Sequence, residues 1–224
     1  MRLDRLLVGL GLGSRKEVGQ LVRRGRVQVG DALLFDPSAH VDPEARISVD
    51  GESVRALPRV VAWHKPVGVQ CTMSDPWGRL DLSAVLPERW RAALHPVGRL
   101  DADTSGLLLF SSDGQLTQAL LHPKRAVPRR YVATVDVDPP GDLPERLADG
   151  VLTSLGSFAG EVVAVRGRDV ELIVTEGKHR MVRRMLHNAG ASVVALHRVA
   201  YGPVELGELA LGEVREVSDA FVGM

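Results

Sequence analysis

The segment that most constrains this chain is a charged turn that leads directly into a purely apolar run. Residues 98–101 read Gly-Arg-Leu-Asp, and residues 107–110, which follow Gly106, read Leu-Leu-Leu-Phe. Consecutive apolar residues without alternation are typical of a strand that is buried on both faces. The pattern therefore predicts a central strand, and it places the Asp101 carboxylate at the mouth of that strand on rigid backbone.

Aspartates near turns have a common structural explanation that applies here too. Asp101, Asp103 and Asp113 could each accept backbone hydrogen bonds in a turn or at the start of a helix. Asp113 fits this role directly, because it precedes an amphipathic stretch in the pattern of a helix cap. For Asp101 the turn pattern alone leaves both roles open, a cap or a site carboxylate.

Charge is balanced over the whole chain but segregated along it. The 28 Lys/Arg and 28 Asp/Glu residues exclude a uniformly basic nucleic-acid binder. Residues 1–30, however, contain seven Lys/Arg and two acids, whereas residues 31–58 contain six acids and two Arg. Residues 178–198 contain five Lys/Arg and no acid. A polyphosphate responds to charges within a Debye length of about 10 Å, so these local patches indicate where it would bind.

The N-terminal segment predicts a small unit of helices and strands. Residues 2–10 have leucines at helical spacing, and Ser14 with Glu17 three residues later is the signature of a capping box that starts a second helix. Gly25 ends that helix, and residues 26–29 predict a strand that enters a hairpin. An ordinary solvated basic face is one explanation of the cations in this unit, and phosphate binding is the other. The candidate cations are Arg5, Arg15, Lys16, Arg23, Arg24 and Arg26.

Two further segments contain candidate site residues. Tyr131 follows the basic run 124–130 at the head of a predicted strand, where a core tyrosine with a satisfied hydroxyl is the plain explanation. Residues 176–185 read Glu-Gly-Lys-His-Arg-Met-Val-Arg-Arg-Met and predict a helix that follows a strand. On this helix Arg183 lies at the flank of the buried stripe, whereas Arg180 and Arg184 point away from it.

The region between the N-terminal unit and the central strand is less regular. Residues 60–63 predict a strand that leads to Lys65, a candidate for contact with a substrate phosphate or for pairing with a carboxylate. Cys71 is the one cysteine, which excludes an intramolecular disulfide and a thiolate-rich metal cluster. Residues 72–95 have little periodicity and predict a long, partly irregular connection.

Several of these segments together resemble a known family. Gly-Arg-Leu-Asp and Asp-Thr-Ser-Gly-Leu-Leu-Leu within residues 98–109, Lys-Pro-Val-Gly at 65–68 and the motif at 176–185 resemble the bacterial ribosomal pseudouridine synthases. Residues 2–5, 14–16 and 24–27 resemble the S4 RNA-binding domain. The resemblance implies an α+β protein, with an S4-like module at 1–57, a linker at 55–58 and a catalytic domain at 59–224. The implied catalytic domain has a mixed, mainly antiparallel sheet with packed helices.

The resemblance also implies a role for each candidate side chain. Asp101 would attack the ribose or the base as an ionised nucleophile, or would deprotonate the sugar. Arg183 would pair with this carboxylate and keep it charged, and Tyr131 would lie against the target base. Arg99 would occupy the space that an everted base leaves. The implied substrate-binding residues are Arg99, Lys65, Arg180 and Arg184.

The implied function is site-specific isomerisation of uridine to pseudouridine in ribosomal RNA, a reaction that requires neither cofactor nor metal. The opening of the chain favours the small-subunit branch and 16S rRNA, although residues 199–203 also fit relatives that act on 23S rRNA. With no signal peptide and no long apolar run, we expect a cytoplasmic monomer that binds ribosomal RNA or an assembly particle. A non-catalytic RNA-binding assembly protein and a base-removing glycosidase are the alternatives.

Overall fold

The computed structural model describes residues 1–54, 57–86, 88–91 and 93–218. Of the expected linker at 55–58, residues 55 and 56 lie outside the described residues. Within the described ranges, no helix is both long enough and apolar enough to cross a bilayer.

The N-terminal unit confirms the predicted helices and hairpin. Helix α1 spans Leu3–Gly9, and helix α2 spans Arg15–Arg23. The capping box forms, since the Ser14 hydroxyl accepts the Glu17 N–H and the Glu17 carboxylate accepts the Ser14 N–H at 2.7 Å. The leucines of α1 pack with α2 and the adjacent strands in a separate small core. The strands are β1 (Val27–Val29), β2 (Ala32–Leu34), β3 (Ile47–Val49) and β4 (Glu52–Val54). They form an antiparallel sheet in the order β2-β1-β3-β4.

A larger sheet forms the rest of the fold. Its strands are β5 (Val60–Lys65), β6 (His95–Pro96), β7 (Thr104–Ser111), β8 (Arg129–Val135), β11 (Glu161–Arg166), β12 (Asp169–Val174), β13 (Val193–Tyr201), β14 (Val204–Glu205) and β15 (Val214–Glu216). Strands β9 (Val151–Thr153) and β10 (Gly156–Phe158) form a separate hairpin. The main order is β11-β12-β8-β13-β7-β5-β15, with β14 beside β13 and β6 beside β7. Strands β13 and β7 run parallel, and the other pairs are antiparallel. This mixed, mainly antiparallel sheet confirms the expected α+β class.

Strand β7 is the central strand that the apolar run predicts. It lies between β13 and β5, and its side chains supply both faces of the sheet. Leu108 and Phe110 belong to one hydrophobic core, and Leu107 and Leu109 belong to a second one on the opposite face. Four consecutive apolar residues are required because neither face of this strand meets solvent.

Gly106 allows β13 to approach β7 at the base of the Asp101 loop. Its φ is +108°, and a Cβ built on it would lie 2.3 Å from the carbonyl oxygen and 2.5 Å from the nitrogen of Arg198. A side chain at position 106 would therefore separate the two strands. The close pairing aligns Arg198 with Tyr131 on β8 and holds both strands beside the loop that contains Asp101.

Helices pack on the larger sheet and define the surroundings of this loop. They are α3 (Leu82–Val85), α4 (Glu88–Arg91), α5 (Gly114–Leu121), α6 (Leu143–Asp149) and α7 (Met181–Asn188). Asp113 caps α5 by accepting two N–H groups of its first turn, and Val182 and Met185 of α7 are buried in the core, both as predicted. The connection at 72–95 is more regular than expected, because Asp81 caps α3 within it.

Candidate active site

A cleft of about 560 Å³ opens beside the N-terminal end of β7. It is lined by the loop before β7, by inward residues of β8 and β13, by the start of α7 and by parts of the segment 70–79. Four of the residues singled out in the sequence line it together: Asp101, Arg99, Tyr131 and Arg180. The structure thus brings together side chains that are separated by up to 81 positions in the chain.

Asp101 is fixed by its backbone, while its carboxylate stays accessible from the cleft. Its carbonyl oxygen accepts a hydrogen bond from the Thr104 N–H at 3.0 Å and one from the Lys65 ammonium at 3.2 Å. The side chain is 29% exposed. The Arg180 guanidinium lies 3.9 Å from its carboxylate oxygen. This arrangement holds the carboxylate at a defined place without sealing it from a substrate.

Lys65 is not positioned to meet substrate, which corrects the expected contact with a phosphate or a carboxylate. The side chain is fully buried, and it does not line the cleft. Its Nζ donates to the carbonyl oxygens of Thr104 at 2.9 Å and Pro66 at 3.0 Å, besides that of Asp101. Burial lowers the pKa of this ammonium. The carbonyl dipoles stabilise the buried cation, and the same hydrogen bonds fix the turn that contains Asp101.

The guanidinium beside Asp101 belongs to Arg180 rather than to Arg183, a second correction. Among the residues that the structure describes, Arg180 alone places a guanidinium within 4.0 Å of the Asp101 carboxylate. Arg183 instead donates to the Asp103 carbonyl oxygen at 2.9 Å and lies 3.3 Å from the Asp103 carboxylate. The helical pattern misplaced Arg180 because this residue precedes α7 with a left-handed backbone, at φ +52°. Its direction therefore does not follow from the helix periodicity.

Asp103 links the two arginines into one charge cluster. Both of its carboxylate oxygens accept hydrogen bonds from Arg180, at 3.1 and 3.0 Å. Burial opposes ionisation of Asp103, but the Arg180 hydrogen bond and the Arg183 charge outweigh it and lower its pKa. The bond to Asp103 raises the pKa of Arg180, whereas burial lowers the pKa of Arg183. With Asp101, the cluster contains two carboxylates and two guanidinium groups.

The floor of the cleft is cationic and aromatic. Tyr131 is buried on β8, and Arg129 lies two residues earlier on the same face of that strand. The Arg129 and Arg198 guanidinium groups are also buried, and they lie 5.0 and 5.2 Å from the centre of the Tyr201 ring. Within the described part of the chain, neither forms an ion pair with a carboxylate. A buried cation of this kind favours an anionic ligand.

Sequence reasoning missed both of these arginines as site residues, for different reasons. Arg129 had a usable signal, because strand alternation places residues 129 and 131 on one face. Arg198 had no local signal. Its place in the cleft depends on the pairing of β13 with β7, which joins residues about ninety positions apart in the chain.

Two other predictions concern Arg184 and Arg99. Arg184 lies outside the cleft, where its Nη1 donates to the Ser154 hydroxyl at 2.6 Å, so the expected substrate contact at this site is corrected. The helix periodicity correctly pointed it away from the core, but that direction leads to the β9–β10 hairpin. Arg99 is exposed and lines the cleft, so its guanidinium is accessible to a ligand there, and its expected role stays a prediction.

The cations of the N-terminal unit are all on its surface. Each of the six candidates is exposed. Arg26 forms a bidentate ion pair with Asp50, which holds its guanidinium in place. The others named in the sequence keep the accessibility that phosphate binding requires.

Comparison with known proteins gives matches over both parts of the chain. Residues 59–188 match the family of RNA pseudouridylate synthases, and residues 1–47 match the S4 domain. A ribosomal large subunit pseudouridine synthase B of Vibrio cholerae is 37% identical over 216 residues, which cover 92% of this chain and 67% of that protein. An uncharacterized RNA pseudouridine synthase of Mycobacterium tuberculosis is 36% identical over 233 residues, which cover 100% of this chain and 92% of that protein. A crystal structure of a pseudouridylate synthase superimposes with a TM-score of 0.69 at 25% identity, covering 99% of this chain and 98% of the other.

Proposed function

Because this chain belongs to the RNA pseudouridylate synthase family, we propose that it isomerises a specific uridine of large-subunit ribosomal RNA to pseudouridine. The initial preference for 16S rRNA is not supported. Relatives from Yersinia pestis, Vibrio cholerae and Pseudomonas aeruginosa are named large-subunit enzymes, and these names favour the 23S alternative. The proposed substrate is ribosomal RNA or an assembly particle, and the proposed active unit is a cytoplasmic monomer.

One observation carries the catalytic proposal: the accessible Asp101 carboxylate lies beside Arg180 in a cleft that also contains Tyr131. Pseudouridine formation breaks the bond from C1′ to N1 and forms a bond from C1′ to C5. The C5 proton leaves and N1 gains a proton, so atoms and electrons balance without a co-reactant. An ionised carboxylate next to a guanidinium suits either nucleophilic attack or removal of a proton.

The target base must leave the RNA stack to reach this carboxylate. The cleft volume of about 560 Å³ lies in the range of small-molecule sites, which is roughly 300–1,000 Å³. We propose that Tyr131 contacts the everted uracil and that Arg99, at the exposed edge, takes the place of the base in the stack. The buried Arg129 and Arg198 would give the cleft a positive potential that attracts the nucleotide.

The N-terminal unit, which matches the S4 domain, is proposed to position the RNA by binding its phosphates. Changing both Lys16 and Arg23 to Ala should weaken RNA binding and reduce the slope of log K against log salt by about one to two, because two phosphate contacts are lost. Both side chains are exposed, so thermal stability should stay the same. Filter binding across a salt series measures the slope. The double variant of Arg166 and Arg168 to Ala removes two exposed cations elsewhere and should leave the slope near that of the wild type. Equal slopes for the two double variants would contradict the proposed RNA contact of this unit.

Mapping pseudouridines in ribosomal RNA tests the function itself. A strain that lacks this protein should lose a pseudouridine from 23S rRNA, and expression of the wild-type protein should restore it. The purified protein should form pseudouridine at the same nucleotide in a 23S transcript. Loss of a 16S site instead would return the assignment to the small subunit, and an unchanged map of both RNAs would contradict the proposal.

A further inference from the structure

Trp77 is exposed at the rim of the cleft. With 77% of its surface accessible, it is the most exposed large apolar side chain in the part of the chain that the structure describes. It lines the same cleft as Asp101 and Tyr131. An indole at the rim of a cleft offers a flat apolar face on which a ligand in the cleft can pack.

The loop that presents Trp77 is fixed by hydrogen bonds. The Asp75 carboxylate accepts the N–H groups of Trp77 at 3.1 Å and Arg79 at 2.9 Å, and it also binds the Arg79 guanidinium at 2.7 Å. The Asp75 N–H in turn donates to the Asp81 carboxylate at 2.9 Å. The bond to Arg79 lowers the pKa of Asp75 to about 2, so this clamp stays ionised at neutral pH. The indole is therefore mounted on an ordered turn.

Arg79 packs against this aromatic surface while its guanidinium stays ion-paired with Asp75. Its guanidinium carbon lies 4.8 Å from the centre of the Trp77 ring, a cation–π arrangement. A nucleobase can stack on the exposed part of the indole, and the half-exposed guanidinium, whose charge Asp75 balances, can donate a hydrogen bond to the same nucleotide. Aromatic residues combined with cations are the common means of binding unpaired nucleotides.

We propose that Trp77 stacks on an unpaired nucleobase next to the target uridine and holds that nucleotide while the target is everted. This inference rests on the proposed function, since it requires a single-stranded or opened RNA at the cleft. Trp77 is then a positioning residue of the RNA site, without contact to the reacting atoms. Its chemistry accepts any base, because each base has an aromatic face.

RNA binding by Trp77 variants tests the proposal. The probe is a 23S stem-loop that contains the nucleotide found by mapping. Trp77→Ala should raise the Kd by about 10- to 100-fold, whereas Trp77→Phe, which keeps a ring, should stay within about threefold of the wild type. Leu152→Ala is the matched control, because Leu152 is 75% exposed and lies away from the cleft. It should leave the Kd unchanged.

Abasic RNAs locate the stacked base. One abasic site is placed in turn at each nucleotide flanking the target. At one position the wild type and Trp77→Ala should bind with equal affinity, because the stacking partner is missing. Either of two results overturns the stacking: a Kd for Trp77→Ala equal to that of the wild type, or a loss of affinity in this variant that persists on every abasic RNA. In both cases the proposed function still stands if the wild type forms pseudouridine. Absence of pseudouridine formation by the wild type overturns both.

Discussion

Asp101→Asn should reduce pseudouridine formation by about 1,000-fold at saturating RNA, because it removes the proposed nucleophile or base. RNA affinity should change by no more than roughly threefold, since most of the binding free energy comes from phosphate contacts. Single-turnover assays on a 23S transcript give the rate, and filter binding gives the Kd.

The Asp101→Asn protein should also remain folded. Among the residues that the structure describes, the Asp101 carboxylate makes one ion pair, at 3.9 Å, and partly exposed pairs of this kind contribute about 0–1 kcal/mol. The Lys65 ammonium binds the backbone carbonyl of residue 101, a contact that asparagine keeps. An equal melting temperature for the variant and the wild type would show that the loss of activity comes from the missing carboxylate and not from unfolding.

Asp103→Asn is the matched comparison for this variant. Asp103 does not line the cleft, but it binds both Arg180 and Arg183. Its amide variant should therefore loosen the arginines and slow the reaction by about tenfold, much less than the change at Asp101. The reverse order of effects would identify Asp103 as the reactive carboxylate. Normal modification by Asp101→Asn would favour the non-catalytic alternative, and free uracil as the wild-type product would favour the glycosidase.

Gly106→Ala should cause the largest loss of stability. The alanine Cβ would lie 2.3 Å from the Arg198 carbonyl oxygen, and the backbone at φ +108° is strained for any L-residue with a side chain. Overpacking and backbone strain each cost about 1–3 kcal/mol, and contact with backbone inside a sheet leaves little room for relaxation. The expected loss of about 4 kcal/mol corresponds to a fall in melting temperature of about 10 °C.

Gly156→Ala separates strain from overlap. Gly156 has a similar φ of +121°, but a Cβ there would meet its nearest neighbour at an ordinary 3.9 Å. This variant should lose only the strain component of about 1–3 kcal/mol. Differential scanning calorimetry of both variants measures the difference. Equal melting temperatures would contradict the close approach of β13 to β7 at Gly106.

Local sequence signals predicted the elements well and the contacts between them less well. The capping box at Ser14 and the two-sided burial of β7 depend on neighbours in the chain, so both could be predicted. The partner of Asp101 could not, because the left-handed Arg180 breaks the helical pattern. The surroundings of Lys65 could not be predicted either. Three of its four carbonyl partners, those of residues 101, 102 and 104, lie in the loop before β7 and at the first residue of that strand, far from Lys65 in the chain.

The position of β13 in the sheet has a consequence for biosynthesis. Residues 193–201 are translated after β7 and β8, yet they pair with both of these strands and supply Arg198 to the cleft. Until they emerge from the exit tunnel, the strands made earlier have unpaired central edges, which are prone to association with other chains. A nascent polypeptide of this sequence therefore cannot complete the central part of the larger sheet before residues 193–201 have left the ribosome.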